Sequence, residues 1–236
     1  MTLLVDKPLD WTSFDVVNKL RYAAKRSTGR KKIKVGHAGT LDPLASGLLI
    51  ICVGSHTKQI NELTGLNKSY EGTIRLGATT PSFDLETEID QTFPLPENNT
   101  ELLNTIANAF IGPQEQTPPA FSAKKIDGKK AYELARKGKE VKLKKAHITI
   151  ESFDIDTSGF PDIDFDLTCS KGTYVRSLAF DFGKKLSSGG HLTRLRRTSI
   201  GEFRIENALS IDQAMEEIDA KYHKYESAIR NSEQKS

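Results

Sequence analysis

Asp42 stands in the stretch GHAGTLDPLASG, residues 36–47. A carboxylate on a glycine-punctuated loop can do two kinds of work. It can bond its own backbone, as turn aspartates do, or it can face a ligand and act as a nucleophile or base. Pro43 biases Asp42 towards extended geometry, and Gly36, Gly39 and Gly47 permit sharp turns or the close approach of a ligand. The apolar run GLLIICVG that follows reads as a strand buried on both faces, which anchors the loop and fixes where the carboxylate points. Tyr70, in KSYEGTIRLG, is either a core aromatic or a stacking platform. Arg176, in CSKGTYVRSLA, is either a surface cation or the partner of a pocket acid. In the second role it would lower the acid's pKa by about 1–3 units and keep it ionised.

Other chemistries lack their residues. The five histidines (His37, His56, His147, His191, His223) are scattered without metal-ligand spacing. The glycine-rich stretch lacks the Gly-Lys-Ser/Thr ending of a phosphate loop and the spacing of a dinucleotide fingerprint. No Gly-x-Ser-x-Gly elbow occurs. A reaction without metal, cofactor or nucleoside triphosphate is therefore expected.

The elements that must position these residues are legible from periodicity. Residues 2–5 read as a strand. WTSFDVVNKLRYAAKRS reads as a helix capped by Thr12 with Asp15 three residues on, with Phe14, Val17, Leu20 and Ala24 at helical spacing and Arg21, Lys25 and Arg26 outside. A short helix over SHTKQINELTG precedes the Tyr70 strand, TTPSFDLETE is a loop, and NTELLNTIANAFIG is a helix capped by Asn99 or Thr100. AHITIESFDI and DIDFDLTCS alternate as strands. Arg176 lies early in a helix stopped by glycines, HLTRLRRTSIGEFRI reads as two strands meeting at Gly201, and SIDQAMEEI closes the fold. The pattern predicts one α+β domain over 1–218, its largely antiparallel mixed sheet flanked by helices. A basic insertion is expected at about 116–145, and a polar, frayed tail over 219–236.

The chain has 236 residues, 37% hydrophobic and 28% charged, enough for a substantial core. Its longest strictly apolar run, Leu48 to Val53, falls far short of a membrane span, and its start has no secretory pattern. Cys52 and Cys169 suit a reducing compartment as buried small residues, so a cytoplasmic location is expected. The net charge of +3 conceals segregation: Lys19 to Lys34 holds eight bases and no acid, whereas Asp84 to Glu115 holds seven acids and no base. From Lys124 to Lys145 there are ten bases against three acids. Each run alone is a solvated face, but together they form the footprint of a polyanion partner, nucleic acid first.

Four motifs in this order, GHAGTLDPLASG, KSYEGTIRLG, CSKGTYVRSLA and LTRLRRTSIGEF, resemble those of the TruB family of tRNA pseudouridine synthases, and the likeness runs from DKPLDWTSFDVV to GEFRIENALSIDQA. The resemblance implies a pseudouridine synthase fold and isomerisation of the uridine at position 55 in the T loop of tRNA. It implies that Asp42 is the catalytic aspartate, Tyr70 the ring that stacks on the target uracil and Arg176 the arginine that pairs with the aspartate. His37 would contact the rearranged loop and Leu195 would line the pocket. Lys68 takes a supporting role in the tyrosine motif, and Asp84 falls where the family has an aspartate that interacts with the opened loop. The 116–145 segment resembles the family's RNA-binding insertion. Many bacterial relatives carry an extra C-terminal RNA-binding domain, which this chain is expected to lack.

The chemistry breaks the N1–C1′ bond, turns the uracil and rejoins it through C5. Asp42 can attack C1′, add to C6 or remove the C2′ proton, and the resemblance selects none of the three routes. The expected partner is tRNA, engaged through its T stem-loop by a monomer with no protein partner and no membrane. A guide-RNA-dependent synthase is disfavoured by the chain's length, a non-catalytic tRNA-binding protein by the presence of both Asp42 and Arg176.

Overall fold

The computed structural model describes residues 1–122, 124–126, 128–136, 141 and 143–233. In chain order the first elements are β1 (Thr2–Lys7), α1 (Ser13–Thr28), β2 (Val35–Ala38), β3 (Ala45–Val53) and α2 (Ile60–Gly65). Then come β4 (Lys68–Leu76), β5 (Ala78–Thr79), β6 (Gln91–Thr92), α3 (Thr100–Asn108), β7 (Gly112–Gln116), β8 (Lys125–Ile126), β9 (Lys129–Lys130) and α4 (Ala131–Ala135). The last are β10 (Ala146–Asp156), β11 (Asp162–Cys169), α5 (Val175–Lys185), β12 (Gly190–Ile200), β13 (Phe203–Arg204) and α6 (Ile211–Glu233). The class is α+β, as expected. The chain divides into two compact units, Met1–Leu66 with Arg196–Ser236 and Asn67–Leu195. The first is assembled from both ends of the chain, a pairing that no local pattern displays.

In the first unit β3 is the organising strand. β1 pairs with it antiparallel from Thr2↔Cys52 to Lys7↔Gly47, and β2 from Val35↔Val53 to Ala38↔Ile50. The reading of GLLIICVG holds: Leu48 to Val53 are all fully buried. α1 begins with the expected capping box, in which the Asp15 N–H donates to the Thr12 hydroxyl at 3.0 Å and the Thr12 N–H to the Asp15 carboxylate at 2.9 Å. It ends on Gly29 in the left-handed region (φ +61°). Val16, Val17, Leu20, Ala23 and Ala24 pack with Leu49, Ile51 and Val53 of β3 and with Ala214 and Ile218 of α6.

Two expectations change here. Phe14, assigned to the apolar stripe of α1, is exposed, and Ser13 takes the inward place. The polar tail expected from 219 is helical instead, because α6 runs on to Glu233. Asp219 accepts hydrogen bonds from Arg26 of α1 at 2.5 Å and from the Ser27 hydroxyl, so it extends the packing of α6 on α1.

In the second unit β4, β11, β10 and β7 lie side by side in antiparallel register, from Lys68↔Cys169 through Leu167↔Tyr70 to Arg75↔Asp162 in the β4–β11 pair. Phe153 is the hub of its aromatic core, with ring centroids 5.8 Å from Phe165, 5.8 Å from Phe182 and 6.2 Å from Phe110. The start of the insertion is tied to α5 and the turn before it. The Gln116 side chain accepts from the Tyr174 N–H at 2.8 Å and donates to the Tyr174 carbonyl at 3.0 Å, and the Ser177 hydroxyl donates to the Thr117 carbonyl at 2.8 Å. Farther on, Arg136 pairs with Glu86 at 2.6 Å. Residues 123, 127, 137–140 and 142 of this segment lie outside the described residues.

Candidate active site

Of the seven residues singled out from sequence, Asp42 and His37 belong to the first unit, and Lys68, Tyr70, Asp84, Arg176 and Leu195 to the second.

In the first unit the loop that carries Asp42 is held by its backbone. On its N-terminal side the Ser13 hydroxyl accepts from the Leu41 N–H at 2.8 Å and donates to the Leu41 carbonyl at 3.1 Å. Fully buried Arg197 spans the loop, with Nε donating to the Leu48 carbonyl (2.8 Å), Nη2 to Gly39 (3.1 Å) and Nη1 to Thr40 (3.4 Å). On the far side the Pro43 carbonyl accepts from the Asp10 N–H at 2.9 Å and from the ammonium of Lys7 at 3.4 Å. That ammonium also donates to the Trp11 carbonyl at 2.6 Å and the Pro8 carbonyl at 2.8 Å. The Asp42 carbonyl receives the Ala45 N–H at 3.1 Å, closing the turn into β3. Asp42 itself is partly exposed. A partly exposed aspartate on a backbone fixed at Leu41 and Pro43 is an oriented group, which a near-attack geometry requires.

Lys7 and Arg197 flank one glycine. Lys7 stands opposite Gly47 in the β1–β3 register, and a Cβ on Gly47 would lie 2.3 Å from the Arg197 carbonyl oxygen and 2.6 Å from its nitrogen. Gly47 also has φ +104°, so both the conformation and the approach demand glycine. Two buried cations at this point set the local electrostatics. Burial pulls the Lys7 ammonium down to about 8, a displacement deepened by Arg197 and opposed first by Asp42 and then by Asp10. The negative charge of Asp42 is thus part of what keeps Lys7 protonated. Burial, then repulsion from Arg197, also holds the His37 imidazole below its ordinary range, against a weaker pull from the Gly39 backbone. His37 is therefore neutral at pH 7, and it sits on β2 with its Nδ1 buried.

In the second unit Arg176 and Asp84 come together. Arg176, the second residue of α5, is buried, and its Nε lies 3.5 Å from Oδ2 of buried Asp84. Its guanidinium donates to the Phe121 carbonyl at 2.9 Å and the Ser82 carbonyl at 3.2 Å. A surface role for Arg176 is excluded. The TTPSFDLETE segment is a built turn: Phe83 (φ +65°) stacks on Phe180 of α5 at 4.1 Å, and the Thr80 and Ser82 hydroxyls both donate to the Asp84 carbonyl. Lys68 and Tyr70 share the buried face of β4, both less than 10% exposed, with Cys169 opposite Lys68. Burial pushes the Cys169 thiol up to about 11. Leu195 lies on the inward face of β12.

Sequence reasoning missed Lys7, Arg197 and Ser13. Two of them carried a signal in period 2: Lys7 follows Leu3 and Val5 on one face of β1, and Arg197 follows Leu195 on one face of β12. A lysine or arginine in phase with buried aliphatics is a buried cation in need of acceptors.

Solved chains share this architecture. One from a Cbf5-Nop10-Gar1 complex superposes with a TM-score of 0.64 over 89% of this chain and 53% of its own length, at 24% identity. Another, from an H/ACA RNP bound to a substrate RNA containing 2′-deoxyuridine, gives 0.64 over 91% and 52%, at 22% identity. These likenesses show a shared fold. Residues 25–175 match the family model described as TruB family pseudouridylate synthase (N terminal domain). The tRNA pseudouridine synthase B of Flavobacterium johnsoniae is 55% identical over 210 residues, covering 89% of this chain and 92% of the relative. That of Phocaeicola vulgatus is 54% identical over 217 residues, 92% of each. The chain belongs to the TruB family of pseudouridylate synthases.

Proposed function

We propose that this protein isomerises uridine to pseudouridine in tRNA, at position 55 of the T loop, with Asp42 as the group that attacks the flipped nucleotide. The observation that supports this most directly is the clamping of the Asp42 loop by Ser13, Arg197 and Lys7, which orients a partly exposed carboxylate. The target uridine leaves its stack at a cost of a few kcal/mol. Stacking on Tyr70 returns about 1–3 kcal/mol. Asp42 then acts at C1′, C6 or the C2′ proton, and the N1–C1′ bond breaks. The uracil turns and C5 bonds to C1′. The C5 proton leaves to solvent while N1 takes up a proton, so the isomerisation balances without any cofactor. Arg176, which lies against Asp84, is assigned by the family resemblance to keeping the carboxylate anionic; Leu195 is likewise assigned to the uracil pocket, Lys68 to the support of Tyr70, and Asp84 to the opened loop. The insertion at 116–145 binds RNA. His37 contacts the rearranged loop as a neutral imidazole, so His37→Ala weakens tRNA binding without changing its salt dependence, since no counterion-releasing charge is lost.

The test is tritium release from tRNA transcript labelled at C5 of uridine. Wild-type protein releases tritium, Asp42→Asn does not, and transcripts with cytidine at position 55 give none. Release that persists in Asp42→Asn would assign the chemistry to another acid. Tight binding without release by the wild type would leave a tRNA-binding protein.

A further inference from the structure

The outer face of α1 has no role in the reaction as read above, and its composition is unusual. Phe14 and Tyr22 are 61% and 66% exposed, more than any other large apolar side chain described. They stand eight residues apart, about 12 Å along the axis, with Asn18, Arg21 and Lys25 on the same side. Arg21 is tied in place: it donates to the Asn18 side chain at 2.7 Å and to the Val35 carbonyl at 3.1 Å, and its guanidinium carbon lies 6.0 Å from the Phe14 ring centre. The opposite side of the helix is filled by β3 and α6.

Charge selects the occupant. Lys19, Arg21, Lys25 and Arg26 line α1, Arg30, Lys31, Lys32 and Lys34 follow it, and no acid occurs between Lys19 and Lys34. Two acids beside the helix are engaged, Asp15 in the capping box with Thr12 and Asp219 with Arg26 and Ser27. A second copy of the chain meeting this face across a two-fold axis would set like charges against each other. A polyanion meets them with opposite charge, and one whose bases are unpaired also offers flat faces to two exposed rings.

We propose that the outer face of α1 is a second RNA-docking surface, where Phe14 and Tyr22 stack on unpaired bases and Lys25, with the cations that follow the helix, holds the adjoining phosphates. It rests on the reading of this protein as a tRNA-modifying enzyme and adds to it a contact away from the reacting uridine. The face is continuous with the reactive loop: Phe14 adjoins Ser13, whose hydroxyl is bonded to Leu41 beside Asp42, and Arg21 bonds the first residue of β2. RNA seated on α1 therefore bears on the element that anchors the carboxylate.

The experiment measures binding of unmodified tRNA transcript by fluorescence anisotropy as a function of salt. The proteins are the wild type, Phe14→Ala, Tyr22→Ala, Lys25→Ala and, as a control, Leu102→Ala, which removes an exposed apolar side chain elsewhere. Each ring lost should weaken binding by roughly five- to a hundredfold. Lys25→Ala should reduce the slope of log affinity against log salt by close to one. Ultraviolet crosslinking should place RNA on the peptide holding Tyr22. Ring variants that bind like the control, with no crosslink on α1, would overturn the proposal. So would a wild-type dimer that Tyr22→Ala converts to monomer while RNA affinity stays constant, since the face would then be a protein interface. Tritium release by the same wild-type preparation separates these failures from failure of the functional reading, which would show as no release.

Discussion

Lys7 offers the sharpest test of the clamp on the Asp42 loop. Its side chain is fully buried and its pKa falls from 10.5 to about 8, with desolvation as the main cause. The unfolded chain holds this proton up to about pH 10.5, whereas the folded chain gives it up near pH 8. Between those values the unfolded state binds more protons, so raising the pH stabilises the fold. The full displacement corresponds to about 3 kcal/mol, of which about 2 kcal/mol is recovered between pH 7 and 9.5. Cys169 works in the opposite sense. Its thiol, raised from 9.0 to about 11, is deprotonated first in the unfolded state, so its contribution falls with rising pH. Wild-type stability alone therefore mixes the two. The difference between wild type and Lys7→Met isolates the lysine.

In urea unfolding followed by circular dichroism from pH 7 to 9.5, the stability of wild type minus that of Lys7→Met should rise by about 2 kcal/mol. At pH 7 the variant loses three hydrogen bonds to carbonyls but also sheds the desolvated charge, so the two proteins are closer there than at pH 9.5. A difference that stays flat, or declines, would mean that Lys7 titrates near its ordinary value. The ammonium would then be solvated, and the account of it as a buried brace on Pro43 and Trp11 would be wrong.

Other outcomes follow from the same contacts. Gly47→Ala should destabilise the protein by about 3 kcal/mol or more, from a positive φ and a Cβ 2.3 Å from a carbonyl oxygen, and thermal unfolding reads it directly. Arg197→Met strips donors from the Leu48 and Gly39 carbonyls and should cost about 2–4 kcal/mol. In the same variant the His37 pKa should rise towards 6.5, visible by NMR, because a repelling cation has gone. Cys52 and Cys169, both buried with raised pKa values, should resist thiol reagents in the native protein at pH 8 and react on unfolding.

Much of the fold was legible because periodicity and caps are local. The Thr12–Asp15 box, the Asn99 cap, the alternation along Lys68–Leu76 and the apolar run from Leu48 to Val53 each announce an element within a dozen residues. The failures share one cause. Phe14 has helical spacing like Val17 and Leu20, but Ser13 is drawn inward by the Leu41 backbone 28 residues away. The tail from 219 reads as polar because its partner for Asp219, Arg26, lies 193 residues back. In both cases a tertiary hydrogen bond outweighed composition, and such a bond leaves no mark on neighbouring positions.

The same reasoning explains why Asp42 was ambiguous in sequence. A turn aspartate and a reacting aspartate look alike locally, since both need proline, glycine and a following strand. What separates them is investment from elsewhere in the chain. Around Asp42, Ser13 from the first turn of α1 bonds Leu41, Arg197 from β12 bonds the Gly39 carbonyl, and Lys7 from β1 adds to its bonds with Pro8 and Trp11 a longer one to the Pro43 carbonyl. Two of these are buried cations, each costing several kcal/mol to desolvate before its bonds are counted. A surface turn that bonded only itself would gain nothing from that outlay, because apolar residues of similar size would stabilise the core as well or better. Buried cations braced against the backbone on both sides of one carboxylate are therefore best understood as fixing that carboxylate's position. The pH dependence of Lys7 is where this inference can fail.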